Sequence, residues 1–425
     1  MPSTYLVTGG AGFIGSHTAE ALLLRGDSVI VVDEINDYYS INQKQHNLDA
    51  LCAAALRSKS AFKFYQGSCQ DESFMANIFE AEHIDIVCHL AARAGVRPSI
   101  RNPFLYIQAN VTATVNLLEL SRQHNISNFV YASSSSVYGK NTKVPFAETD
   151  RTDYPVSPYA ATKKTCELMA TTYNHMYGLP TTGLRFFTVY GPRGRPDMAP
   201  FLFVDKISRG IPIDKFGDGT SCRDYTFITD IVSGILAALD RPSQKAAIYN
   251  LGNSATVSLN DFIHVIEETV GKKAVIHSLP DQLGDVFRTY ADLTLSEREL
   301  GYQPTTDIRA GMRLFVDWYQ TAYRKTQEMD ALQTTQTEHD SRLEKRQLSF
   351  KPSVGVNLAF CGMEQQRLKM RLIDNDGSVH GNGTSNESVP LFLESIVSSR
   401  CMMQSPSPPP SDCMALDYAI SIQDG

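Results

Sequence analysis

The sequence predicts an α/β protein. A Rossmann-type doubly wound parallel sheet is followed by a smaller C-terminal α/β substrate lobe and a C-terminal tail expected to be disordered. Three observations carry this. Short apolar runs alternate with amphipathic stretches from residue 4 to about 190, and strands buried on both faces with helices between them form parallel sheets. A glycine-rich turn joins the first apolar run to the first helical stretch. After about residue 328 the chain becomes polar and Gly/Ser/Pro-rich, as in "NDGSVHGNGTSNES" and "SPSPPPS". Such segments bury too little apolar surface to offset the entropy of ordering the backbone.

The elements follow in order. "TYLVTG", "SVIVVD", "FKFYQG", "IDIVCHL", "NFVYAS" and "TTGLRFF" are short and rich in β-branched or aromatic residues, and read as buried strands. Helical patterns run over 13–25, 72–82, 103–124 and 157–177. From about 191 the rhythm changes. "GPRGRPDMAP", "FGDGTSCRDYTF" and "AIYNLGNSATVSLNDF" mix loops, short strands and helices, and a helix over 307–325 holds the only tryptophan, Trp318. The expected organisation is a dinucleotide-binding Rossmann domain over 1–190, a substrate lobe over 191–328, and an extension over 329–425.

Composition excludes several classes. The net charge of −7 over 425 residues leaves no basic stripe for nucleic acid. No apolar run reaches the ~18 residues of a membrane span. The N-terminus lacks the pattern of a secretory signal, so a cytoplasmic location is expected. Eight cysteines without a C-x-x-C pair and ten histidines without H-E-x-x-H give no reason to expect a metal site or a disulfide framework.

"YLVTGGAGFIGSH" reads G-x-x-G-x-x-G at Gly9, Gly12 and Gly15, with Phe13 and Ile14 opening the helix. Glycines let the turn tighten and let a pyrophosphate approach the backbone, and the helix N-terminus supplies N–H donors and partial positive charge. Asp33 ends the next strand at the spacing of a ribose-binding carboxylate, which would repel a 2′-phosphate, and no Lys or Arg follows until Lys44. NAD is therefore expected over NADP. Further on, "SPYAATKK" places Tyr159 and Lys163 at i, i+4 on one helical face. A nearby ammonium favours the phenolate and brings a Tyr toward acid–base work near neutral pH.

"TGGAGFIG", "HLAA", "SSVYG" and "YAATK" together resemble the extended short-chain dehydrogenase/reductase family of nucleotide-sugar enzymes, over roughly residues 3–325. The resemblance implies that Tyr159 is the acid/base, that Lys163 tunes it, and that Ser134 relays the proton of the reacting sugar hydroxyl. It further implies that Leu90, Ala91, Ala92 and Asn110 line the cofactor groove, that Arg223 binds the nucleotide diphosphate, and that Phe216 packs on the uracil. A homodimer through helices near 103–124 and 157–177 is implied as well.

The family shares oxidation of sugar C4 and then diverges. Its dehydratases resemble one another in carrying Asp-Glu at the positions of Ser135 and Ser136, and its UDP-glucuronate decarboxylases carry Glu at the position of Ser136. This chain has neither carboxylate, which points to epimerisation. "LRFFTVYGPRGRPDM", "NDYYS" and "VSPYAATKK" are similar to UDP-glucuronate 4-epimerases. By that resemblance Ser135, Ser136, Thr188 and Arg195 hold the uronate carboxylate of a UDP-sugar, Arg195 as a planar fork. Two other readings stay open at this stage: an epimerase of neutral UDP-hexoses, and a non-catalytic NAD-binding sensor or scaffold that uses its tail.

Overall fold

The computed structural model describes residues 3–280 and 287–326. The extension expected over 329–425 lies outside the described residues. The first part of the chain alternates as its sequence predicts: β1 (Thr4–Thr8), α1 (Phe13–Arg25), β2 (Ser28–Asp33), α2 (Ile41–Ser58), β3 (Phe62–Gln66), α3 (Glu72–Ala81) and β4 (Ile86–His89). Two short helices follow, α4 (Val96–Arg101) and α5 (Pro103–Tyr106), and then α6 (Ala113–Gln123), β5 (Asn128–Ser134), α7 (Pro158–Tyr177) and β6 (Thr181–Phe186). The remainder runs β7 (Thr188–Tyr190), α8 (Ala199–Arg209), β8 (Ile213–Phe216), β9 (Cys222–Phe227), α9 (Ile228–Leu239), β10 (Ala247–Leu251), β11 (Thr256–Ser258), α10 (Leu259–Val270), β12 (Ile276–Leu279), α11 (Thr294–Leu300) and α12 (Ile308–Trp318).

Local sequence fixes the boundaries of the helix that matters most. Before α7, the Ser157 side chain accepts from the Ala160 N–H, Pro158 occupies the first turn, and Gly178 ends the helix in the left-handed region at φ 70°. Two stretches differ from the sequence expectation. α2 was not among the named helices, because its buried side is not uniformly apolar: Gln43, Lys44 and Asn47 are buried beside Leu48 and Leu51. The single helix expected over 103–124 is α5 and α6 joined by a π-helical stretch, Ile107–Thr112. Asn110 sits within that wider turn and holds the main chain of Arg93 on both sides, accepting from its N–H at 2.8 Å and donating to its carbonyl at 3.0 Å. Wider turns of this kind recur where a helix presents a functional group.

Seven strands form one parallel sheet in the order β10-β6-β5-β4-β1-β2-β3. β10 comes from the segment read as the substrate lobe, so the chain returns to complete the large sheet before finishing. Alternation along the strands feeds two cores. Val7, Val29 and Val31 pack on one face with Leu22 and Ile235. Leu6, Ile30 and Val32 pack on the other with Leu117 and Phe129, as the period of 2 requires. A third core gathers Phe201, Tyr225, Phe227, Phe262 and Phe315 around a small sheet, β11-β9-β7. β8 and β12 pair in parallel beside it. Among the described residues no helix is long and apolar enough to cross a membrane.

Candidate active site

Strand order reverses between β1 and β4, and ligands of such sheets sit beyond the strand ends at that switch point. The glycines there answer to real collisions. Gly9 has φ 70°, and a Cβ on it would lie 2.8 Å from the Ala91 Cα. A Cβ on Gly15 would lie 2.1 Å from the Gly9 carbonyl oxygen. Gly12 caps α1 in extended conformation with no side chain closing the helix end, so the first-turn amides of Phe13, Ile14 and Gly15 form a cradle that suits a pyrophosphate. Asp33 is buried. Its Oδ2 accepts from Ala11 N–H at 3.1 Å and its Oδ1 from Ile35 N–H at 2.9 Å, which ties the end of β2 to the glycine turn. Burial pushes its carboxyl up, opposed by those bonds and by the Lys44 ammonium. Leu90 and Ala91 are half-buried and Ala92 is exposed beside the turn. Asn110 is buried and faces inward, donating also to Thr162 Oγ1 at 3.0 Å. These residues fit a dinucleotide.

The residues expected to react come from α7 and the end of β5. Lys163 donates its Nζ to the Ala132 carbonyl at 2.8 Å. Burial lowers its ammonium. Burial likewise holds the Tyr159 phenol above its ordinary value, only partly opposed by hydrogen bonding with Ser134 and the charge of Arg195. Ser134 Oγ donates to Ser136 Oγ and accepts from Ser136 N–H, both at 3.2 Å, at the start of a 3₁₀ turn over Ser135–Tyr138. Ser133 belongs to the layer beneath. Its hydroxyl donates to Glu167 Oε1 at 2.7 Å, and Glu167 pairs in turn with Arg185 of β6 at 2.8 and 2.9 Å, both side chains 3% exposed. Arg185 lies against the Tyr138 ring at 4.8 Å. Tyr159, Lys163 and Glu167 are thus consecutive rungs on one face of α7, and they bind that helix to β5.

Ser134 is in register with Phe186 of β6, so the serine turn and Thr188 emerge from the same ends of neighbouring strands. Arg195, in the loop after β7, is 16% exposed at its side chain. Asp197 grips it through Nε at 3.0 Å and Nη2 at 2.6 Å. Arg195 also donates to the Tyr38 hydroxyl and the Ala94 carbonyl, each at 3.3 Å. Phe216 ends β8 with the Arg97 guanidinium 5.1 Å over its ring, so α4 and the lobe meet there. Arg223 donates to the Cys222 carbonyl at 2.9 Å and the Phe287 carbonyl at 3.3 Å. The sequence reading assigned no role to Glu167, Tyr106, Tyr38 or Asp197. Glu167 was legible in principle, eight residues after Tyr159 on the same helical face. Tyr106, whose ring meets Tyr159 edge-on at 6.2 Å, carries no such signal.

A family model described as the NAD dependent epimerase/dehydratase family matches residues 5–252. The chain is 45% identical over 337 residues to UDP-glucuronate 4-epimerase 4 of Arabidopsis thaliana, covering 75% of this chain and 76% of that one. Its structure is similar to the UDP-glucuronic acid 4-epimerase from Bacillus cereus solved with UDP-glucuronic acid and NAD, with TM-score 0.69, 33% identity, and coverage of 75% and 99%. It is similar to the same degree to a UDP-glucose 4-epimerase from Thermotoga maritima solved with UDP-glucose, with TM-score 0.69, 32% identity, and coverage of 75% and 99%. With the phosphate cradle at the switch point and the Tyr159–Lys163 pair beside it, the match leaves one assignment: the chain belongs to the NAD-dependent epimerase/dehydratase family, and its cofactor is NAD.

Proposed function

We propose that the protein interconverts UDP-glucuronate and UDP-galacturonate by epimerisation at C4. Tyr159 removes the C4 hydroxyl proton and later returns it, with Ser134 hydrogen-bonded to the reacting oxygen. Lys163 supplies the positive charge that favours the phenolate. NAD, when bound, takes up the C4 hydride and gives it back. Between the two transfers the 4-keto sugar turns over, so that its other face is reduced. Phe216 and Arg223 hold the uridine diphosphate during that turn.

The observation that carries the uronate reading is Arg195, a largely buried guanidinium that shares the Ala94 carbonyl with Tyr106, the ring that meets Tyr159 edge-on. A 4-keto uronic acid is a β-keto acid and loses CO₂ when its carboxylate is desolvated and aligned with the ketone. Ser135, Ser136 and Thr188 offer neutral donors and Arg195 a planar fork to hold the carboxylate out of that alignment. A glutamate at 136 would repel it in a partly buried site. The test is Arg195→Ala: KM for UDP-glucuronate rises by about tenfold or more, the size of a lost charge-assisted pair, while binding of UDP-glucose is unchanged. An unchanged KM for UDP-glucuronate would transfer the assignment to a neutral UDP-hexose epimerase.

The reading includes a homodimer. Phe104 and Ile107 on one helical segment and Leu168 on α7 are exposed at 75%, 47% and 57%, an apolar face of the kind a second copy covers. It also places the protein in the cytoplasm, to which free cysteines such as buried Cys88 and Cys166 are suited.

A further inference from the structure

The "NDYYS" segment after β2 has no part in the mechanism so far, yet Tyr38 within it stands at the centre of a cluster. The Arg195 guanidinium carbon lies 5.1 Å from its ring centroid and that of Arg93 lies 5.2 Å from it. Its hydroxyl donates to the Ala94 carbonyl at 2.9 Å and accepts from Arg195 Nη2 at 3.3 Å. Tyr106 donates to the same Ala94 carbonyl at 3.2 Å, as Arg195 does at 3.3 Å. Three loops, following β2, β4 and β7, therefore converge on one carbonyl through a single tyrosine. The contacts leave little slack: a Cβ on Gly95, whose φ is 124°, would come within 3.2 Å of the Tyr38 hydroxyl.

A guanidinium aimed at a planar anion must be fixed in both plane and rotation. In Arg195 the Nε and Nη2 edge is taken by Asp197. An aromatic face can supply such support, and the ring beside Arg195 is that of Tyr38, 5.1 Å from the guanidinium carbon. Nη1 has no hydrogen-bond partner among the described residues and remains to meet a ligand. Arg93 is paired with Glu34 at 3.7 Å and Arg195 with Asp197 at 2.6 Å, so each cation against the ring has its own carboxylate.

We propose that Tyr38 is a specificity-positioning residue, whose ring and hydroxyl hold Arg195 flat and in rotation to receive the C6 carboxylate of the substrate. This rests on the uronate reading above. The test measures dissociation constants of UDP-glucuronate and UDP-glucose by calorimetry on NAD-loaded Tyr38→Leu, Tyr38→Phe and Arg195→Ala proteins. The expected result is that Tyr38→Leu weakens UDP-glucuronate about tenfold and leaves UDP-glucose within about twofold. Tyr38→Phe, which keeps the ring and loses the hydroxyl, falls between Tyr38→Leu and the parent, as the loss of one contact of each kind implies. Equal weakening of both sugars by Tyr38→Leu would reduce Tyr38 to a general structural role and overturn the proposal. So would no effect of Tyr38→Leu beside a selective loss in Arg195→Ala, with the uronate reading intact. No effect of Arg195→Ala would remove that reading, and the proposal with it.

Discussion

The proposed mechanism assigns the chemistry to single side chains, with Tyr159 as acid/base and Ser134 as its hydrogen-bond partner. Tyr159→Phe keeps the ring against Tyr106 and removes only the phenolic oxygen that the proposal assigns to proton transfer. Turnover is expected to fall by about 10²–10⁴, the usual range for a general acid–base, with NAD content unchanged in the purified protein; kinetics and cofactor absorbance check this together. Ser136→Glu tests the carboxylate assignment. It should weaken UDP-glucuronate and raise the share of decarboxylated product, read from product ratios. At this scale the sequence was most informative where a motif fixes both residue type and spacing, as for Gly9, Gly15, Tyr159 and Lys163. It was least informative for contacts made across loops. Nothing in the spacing of Tyr38, Ala94 and Arg195 announces that they meet.

The elements owe their mutual placement to buried polar ties, and these set the response to acid. Glu167 is held below the ordinary carboxylate range: burial raises it, but Arg185 and Ser133 together outweigh that. Its contribution to stability is therefore present above its unfolded pKa and is lost as the pH falls through the lower folded value. Removing one partner leaves an uncompensated buried charge, so Glu167→Gln should cost about 3–5 kcal/mol in urea unfolding at neutral pH. His89 acts in a higher window. It is buried between Thr8 and Thr114 hydroxyls at 2.8 and 3.1 Å, and burial lowers it from 6.5 to about 3. Below 6.5 the unfolded chain binds a proton that the folded His89 refuses. Stability should then fall by about 1.4 kcal/mol per pH unit from this group, and His89→Gln should remove that share of the slope. The central strands were legible as elements because both faces are buried. α2 was not named, since its buried side includes Gln43, Lys44 and Asn47, and the π-helical stretch at Asn110 has a tertiary cause that helical periodicity cannot register.

The parallel sheet was readable from alternating runs, but the return of β10 to its edge was not, because a strand's partner in a sheet is not encoded in its own pattern. A chain ending at residue 328 is expected to retain turnover within about twofold if the extension is dispensable to the chemistry. The proposed homodimer is expected to dissociate in Phe104→Asp, read by light scattering, because a buried charge at an apolar contact opposes association. Epimerisation at C4 is read out by incubating the purified NAD-loaded protein with UDP-glucuronate and following products by NMR. UDP-galacturonate is expected to accumulate to a constant ratio with UDP-glucuronate, approached from either side. Products consisting only of UDP-xylose or a UDP-pentose-4-ulose, or no turnover, would contradict it.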